Sequence, residues 1–135
     1  MPIRVLLVDD QGLYREGLRT LLAAQPDLDV TGEAANGEEA LRLAAELHPD
    51  VALMDVRMPL MDGVTATRRL LAAQPECRVI MLSTFDDAEA RAQGLSAGAV
   101  DYLLKDAPLE AIVDAIRSAA QGDNQGGGRS PRADG

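Results

Sequence analysis

Apolar runs of strand length alternate with longer helical patterns five times along this 135-residue chain, and that alternation limits the fold more than any other feature. Strands are expected at Ile3–Val8, Val30–Ala34, Val51–Met54, Arg78–Leu82 and Val100–Leu103, with helices over 12–24, 37–47, 63–73, 87–97 and 108–121. Strict β–α alternation calls for a parallel sheet covered by helices on both faces. The expected topology is a doubly wound five-stranded sheet of strand order 2-1-3-4-5. In the last helix Leu109, Ile112, Val113 and Ile116 form one apolar stripe, with Glu110, Asp114 and Arg117 elsewhere. The fourth helix is weaker. It offers only Ala88, Ala92 and Leu95 as a stripe, and an interior Gly94 costs about 1 kcal/mol relative to Ala. It is expected to be marginally held. From Gly122 the composition turns to that of a flexible tail or linker, so residues 1–121 are expected to form the one folded domain and 122–135 the tail.

Apolar residues make up 47% of the chain and aromatics only 2%, so the core must be aliphatic. The net charge of −9 argues against direct binding of nucleic acid, which needs a basic face. Cys77 is the sole cysteine; it founds no disulfide framework or thiolate metal cluster and is expected to fill space near the start of the fourth strand. No apolar run is long enough to span a bilayer, and the N-terminus lacks a signal-peptide pattern. No membrane association and a cytoplasmic location are expected.

The chemistry lies at the strand ends. The first strand leads into Asp9-Asp10 and the third into Asp55. In a sheet of order 2-1-3-4-5 ligands bind at the carboxyl ends of the strands where the order reverses, between strands one and three. The three acids therefore converge, and the fourth and fifth strands bring Ser83-Thr84 and Lys105 to the far side of Asp55. Crowded carboxylates repel, which a hard divalent cation relieves; Mg²⁺ suits one or two carboxylates completed by water and phosphate oxygens. A hydroxyl and an ammonium opposite suit a phosphoryl group, and a central carboxylate such as Asp55 can attack phosphorus to give an acyl phosphate.

Asp9-Asp10, Asp55-x-x-Met58-Pro59-x-x-Asp62-Gly63, Ser83-Thr84, Ala97-Gly98-Ala99 and Tyr102-Leu103-Leu104-Lys105, in that order over residues 3–121, resemble the receiver domain of two-component response regulators, a flavodoxin-like (βα)5 fold. The Ser-Thr-Phe-Asp-Asp and Leu-Leu-Lys-Asp runs look most like its NarL/FixJ (LuxR-type) branch, whose members usually carry a helix-turn-helix DNA-binding domain. The resemblance implies that Asp55 accepts phosphate from a sensor histidine kinase. It implies that Asp10 binds Mg²⁺ directly, Asp9 mostly through water, with Asp55 and the Arg57 backbone carbonyl as further ligands. Ser83 would be the switch hydroxyl, with Thr84 beside it, Tyr102 the switch aromatic that turns inward on phosphorylation, and Lys105 the phosphate-binding cation. Homodimerisation on phosphorylation, often through the first and last helices in this branch, is also implied. The chain would be a regulatory switch rather than an enzyme with a separate substrate. Many receivers have proline after the lysine; here Asp106 follows. Nothing after Gly122 reads as helix-turn-helix, so DNA contact is expected only through an output domain not present in this chain.

Arg57 and Phe85, two positions beyond Asp55 and Ser83 respectively, are expected to flank the path of a hydrolytic water and to tune the phosphoryl lifetime. Other readings stand beside these. Asp10 could simply cap the helix after it, and strand-end hydroxyls often bond only local backbone. Asp62 is expected to cap the third helix, Met54, Met58 and Met61 to pack, and His48 to be an ordinary surface residue. A haloacid-dehalogenase-like phosphatase also uses an Asp nucleophile and Mg²⁺, but its second Asp lies two positions on and none stands at position 11 or 12. A degenerate receiver serving only as a dimerisation module is the third alternative.

Overall fold

The structure is a computed structural model and describes residues 1–122. The tail expected at 122–135 therefore lies, Gly122 apart, outside the described residues. The chain runs β1 (Ile3–Val8), α1 (Gly12–Ala23), β2 (Leu28–Ala34), α2 (Gly37–Leu47), β3 (Val51–Asp55), α3 (Gly63–Ala73), β4 (Arg78–Ser83), α4 (Ala88–Ser96), β5 (Asp101–Leu104) and α5 (Leu109–Ala120). All paired strands are parallel, in the order β2-β1-β3-β4-β5. Fold and topology are as the sequence predicts. β2 starts two residues before the predicted Val30 because its register with β1 begins at Ile3–Leu28, ahead of an irregularity between Val5 and Leu6. β3 and β4 each run one residue further than predicted, so Asp55 and Ser83 are themselves strand residues, opposite Leu82 and Leu104.

Alternate strand residues point to opposite faces, which divides the core in two. Leu6, Val8, Ala52, Met54, Val79 and Met81 meet α2 and α3 through Ala40, Ala44, Ala66 and Leu70. Val5, Leu7, Val51, Leu53, Ile80 and Leu82 meet α1 and α5 through Leu18, Leu22, Ile112, Val113 and Ile116. With helices on both sides, β3 is buried at every position, as an inner parallel strand requires. Of the predicted α5 stripe Ile112, Val113 and Ile116 are buried, joined by Ala115 and Ala119, and Leu109 is half-buried. Cys77 is buried, and burial pushes its thiol up to about 12.

The α4 stripe needs correction. Ala88 and Ala92 are exposed and Leu95 is half-buried; the helix meets the sheet instead through Gly94 and Ala90. The reason is Met81 of β4, whose Cγ would lie 3.0 Å from a Cβ on Gly94. The glycine is the close contact and not a flaw in the helix. A helix anchored by one fully buried residue remains cheap to displace.

The β3–α3 loop holds Leu60 at φ +74°, with the Met61 amide donating to the Pro59 carbonyl at 2.8 Å. This three-residue turn is strained for a residue with a Cβ. Leu60 is also 84% exposed, so no packing is lost on replacement. Leu60→Gly is expected to raise the unfolding free energy by about 0.5–1 kcal/mol, strain relief exceeding the added chain entropy. Urea titration checks this; a lower midpoint would contradict it.

Candidate functional site

β1 and β3 are neighbours in register, Val8 opposite Met54, so the residues that follow, Asp9 and Asp55, emerge side by side. Both are 4% exposed, whereas Asp10 faces solvent. Carboxylate oxygens of Asp9, Asp10 and Asp55 lie within 4.8 Å of one another. Lys105 follows β5, its amide donating to the Ser83 carbonyl at 2.8 Å. That bond brings Nζ to 2.7 Å from Asp9 Oδ2 and 3.3 Å from Asp55 Oδ2. Nζ also donates to Gln11 Oε1 at 2.7 Å. Asp10 does not cap α1, whose N-cap is Gln11 without a side-chain cap bond; Asp9 Oδ1 instead accepts from the Gln11 amide at 2.8 Å.

Burial, then the neighbouring Asp9 charge, push the Asp55 carboxyl up to about 7, against the opposing pull of Lys105. Three acids thus share one ammonium, which leaves the cluster net negative. Asp9 Oδ2 has no donor aligned for a hydrogen bond despite the nearby Nζ, so that contact is one of charge and not of geometry. A converging set of hard oxygens with an excess negative charge and an incompletely satisfied buried oxygen fits Mg²⁺.

An open cleft of about 310 Å³ lies over this cluster, walled by Asp10, Gln11, Asp55, Arg57, Ser83, Thr84, Phe85 and Lys105. Every residue singled out at the strand ends borders it except Asp9, which lies beneath, and Tyr102, which lies behind. Ser83 Oγ donates to the Phe85 carbonyl at 2.9 Å and accepts from the Phe85 amide at 3.2 Å. Thr84 is exposed. The Tyr102 hydroxyl donates to the same Phe85 carbonyl at 3.2 Å, and Arg91 stands 4.7 Å above its ring. Tyr102 is only 2% exposed. The ring thus lies inside in this structure, held by the carbonyl and the guanidinium. Arg57 is mostly exposed and pairs with Asp87 at 3.5 Å; Phe85 is 64% exposed. The Lys105–Asp106 bond is trans. A larger groove, about 640 Å³, lies between α3 and α4; it shares Arg57 with the cleft and holds none of the converging acids.

The loop after β3 mounts Asp55. Asp62 caps α3 by accepting from the Thr65 amide at 2.8 Å, and Gly63 donates to the Val56 carbonyl at 2.8 Å. Met61 packs against Gly37 and His48 is exposed, both as predicted. Two site residues were not predicted. Gln11 holds Lys105 Nζ, and Tyr14 places its ring 4.9 Å from Nζ while its hydroxyl donates to the Lys105 carbonyl at 3.2 Å. Burial and the charges of Asp9, Asp55 and Asp106 push the Tyr14 phenol up to about 12, so it remains a donor at neutral pH. A usable signal existed for Tyr14: the chain has two tyrosines, one phenylalanine and no tryptophan, and each of the three lines the cleft or contacts a residue that does.

A sheet switch point with three acids, a lysine and a strand-end serine defines a receiver domain, and the chain belongs to that family: it matches the response regulator receiver domain over residues 5–117. The haloacid-dehalogenase-like alternative is thereby set aside. Among its relatives, the uncharacterized transcriptional regulatory protein YxjL of Bacillus subtilis (strain 168) is 48% identical over 90% of this chain and 56% of its own length. LiaR of the same strain is 46% identical over 90% and 57%, respectively. VraR of Staphylococcus aureus (strain NCTC 8325 / PS 47) is 40% identical over 92% and 59%. The chain thus spans little more than half the length of these relatives. Among solved structures, the NarL signal receiver domain of Mycobacterium tuberculosis superposes with a TM-score of 0.86 at 38% identity, covering 90% of this chain and 98% of that one. A LuxR-family response regulator from Aurantimonas sp. SI85-9A1 gives 0.86 at 32% identity, covering 90% and 87%. The relatives are of the NarL/LuxR type, as the motifs predict. Among the described residues no helix is long and apolar enough to cross a membrane.

Proposed function

We propose that this receiver accepts a phosphoryl group on Asp55 from the phosphohistidine of a sensor kinase. The observation that carries the reading is the placement of Lys105 Nζ between Asp9 and Asp55 under an open cleft. An Asp55 carboxylate oxygen attacks phosphorus in line, the phosphorus–nitrogen bond of the donor breaks, and the imidazole departs with that electron pair. Asp10, Asp55, the Arg57 carbonyl and Asp9 would hold Mg²⁺, which would neutralise charge on the phosphoryl oxygens. Lys105 turns its ammonium from Asp9 to the phosphoryl oxygens. Ser83 exchanges its bond to the Phe85 carbonyl for one to phosphate, which frees the carbonyl that also holds Tyr102. The loop before α4 is then released, and the thinly anchored α4 moves with it.

In a full-length protein this switch controls dimerisation and, through an output domain, transcription in the cytoplasm; the chain catalyses only its own phosphotransfer and dephosphorylation. Residues 1–121 form the acceptor domain. The groove between α1 and α5, with Leu13 88% and Leu21 50% exposed, is the proposed homodimer face. Incubation with acetyl phosphate should add the mass of one phosphoryl group only when magnesium is present. No gain under either condition would favour a degenerate receiver.

Phe85 and Arg57 wall the cleft where a hydrolytic water must approach Asp55. The apolar ring obstructs that water and offers it no hydrogen bond. Phe85→Ala is therefore expected to shorten the phosphoryl lifetime several-fold, read by loss of the added mass over time. Equal lifetimes in variant and wild type would remove Phe85 from this role.

A further inference from the structure

We propose that Tyr14 is a positioning residue for Lys105 and ties the place of its ammonium over Asp55 to the groove between α1 and α5, an inference that rests on the phosphoacceptor reading above. Tyr14 holds the lysine at both ends. Its hydroxyl donates to the Lys105 carbonyl at 3.2 Å, and its ring lies 4.9 Å from Nζ. Aromatic faces attract ammonium ions, most strongly where water is excluded, and the Lys105 side chain is only 8% exposed. The remaining partners of Nζ, namely Asp9, Asp55 and Gln11, are oxygens for which a phosphoryl group substitutes directly. The ring is not. It limits how far the ammonium travels when the oxygens around it change.

The same ring walls the groove of about 350 Å³ formed by Leu13, Gly17, Leu21 and Leu109. Lys105 lines both that groove and the cleft over Asp55, whereas Asp9, Asp55 and Gln11 do not line the groove. Displacement of Nζ towards a phosphoryl group therefore changes what Tyr14 packs against, and Tyr14 passes that change to the apolar face beside it.

The test uses the full chain with Mg²⁺ and beryllofluoride, a tetrahedral stand-in for the phosphoryl group. NMR follows the Lys105 Nζ nitrogen and the methyls of Leu13, Leu21 and Leu109. In the wild type, Nζ and the methyls should shift together as beryllofluoride binds. Tyr14→Leu should weaken that binding by roughly two- to thirtyfold, the range of one cation–aromatic contact, and the methyls should no longer follow. Tyr14→Phe keeps the ring and its packing, so it should restore most of the affinity and of the methyl response. Wild-type affinity and methyl shifts in Tyr14→Leu would overturn the role of Tyr14 alone. A wild type that binds no beryllofluoride in the presence of Mg²⁺ would overturn this inference together with the phosphoacceptor reading.

Discussion

Asp55→Asn is expected to take up no phosphoryl group and, in magnesium-free buffer above neutral pH, to unfold at a higher temperature than the wild type. The first half follows because an amide oxygen lacks the charge and basicity to form an acyl phosphate. The second follows from burial. The Asp55 carboxyl is pushed up to about 7 in the folded chain, by desolvation first and by Asp9 second, whereas an unfolded aspartate titrates near 3.9. Below the unfolded value both states hold the proton and Asp55 contributes no pH dependence. As pH rises from about 4 to about 7 the folded state retains a proton that the unfolded state has lost, so stability declines across that window. Above it the penalty is complete. Asparagine never ionises and so escapes it. After discounting for solvent in the open cleft and for the lost contact with Lys105, the gain should be about 1–2 kcal/mol. Magnesium should narrow or reverse the difference, since saturation at about a hundred times the dissociation constant adds about 2.7 kcal/mol to whichever form binds it. Melting curves of both proteins at pH values on either side of this window, with magnesium and with chelator, would show it. A wild type that outlasts the variant in chelator above neutral pH would contradict the assignment of Asp55 as a strained acid.

Gly63→Ala is expected to be the most destabilising glycine-to-alanine change among the described residues. A Cβ at Gly63 would lie 2.0 Å from the Asp55 carbonyl oxygen, 2.9 Å from its carbon and 3.0 Å from the Val56 Cα. All three are backbone atoms of the segment that carries the acceptor, and none can swing aside as a side-chain tip can. The Gly63 amide is also committed to the Val56 carbonyl at 2.8 Å, so the two segments cannot separate without losing that bond. Overpacking of this kind costs about 3 kcal/mol or more, enough to lower the melting temperature by roughly 10 °C. Gly17→Ala supplies the contrast. Gly17 lies within α1 with nothing inside 4 Å of the added carbon, and there the same change should stabilise by about 0.5–1 kcal/mol. Similar melting temperatures for the two variants would show that the contact at Gly63 is not rigid. If Gly63→Ala folds at low temperature, its phosphoryl uptake should fall as well, because relief of the clash moves Asp55.

These two residues also show where sequence is informative and where it is not. Asp55 is legible because it ends an apolar run, and the sheet order then fixes its neighbours: Val8 pairs with Met54, so Asp9 must stand beside Asp55. Ser83 and Lys105 follow by the same rule, one and two strands further out. Gly63 is legible as part of a turn, but the 2.0 Å approach that makes it irreplaceable depends on how the loop folds back. Contacts between side chains on elements far apart are less legible still. Tyr14 meets Lys105 across 91 positions, and no periodicity in α1 distinguishes it from Leu13 or Leu18. The inner face of α4 departs from its apolar spacing for a related reason. Apolar spacing assigns a helix its inner side only when large residues fill it, and here the inner side is a glycine under Met81. Tyr102 sits where the motif places it, yet whether its ring lies in or out depends on a backbone carbonyl two residues beyond Ser83.

The phosphoryl group is expected to reside on Asp55 and on no other residue of the cluster. Borohydride reduces an acyl phosphate to the alcohol, so treatment after acetyl phosphate and magnesium should convert the modified aspartate to homoserine, and peptide mass mapping locates it. The expected result is homoserine at position 55, with Asp9 and Asp10 unchanged. Reduction at Asp9 or Asp10, or a stable phosphate on Ser83 or Thr84 with Asp55 intact, would contradict the account.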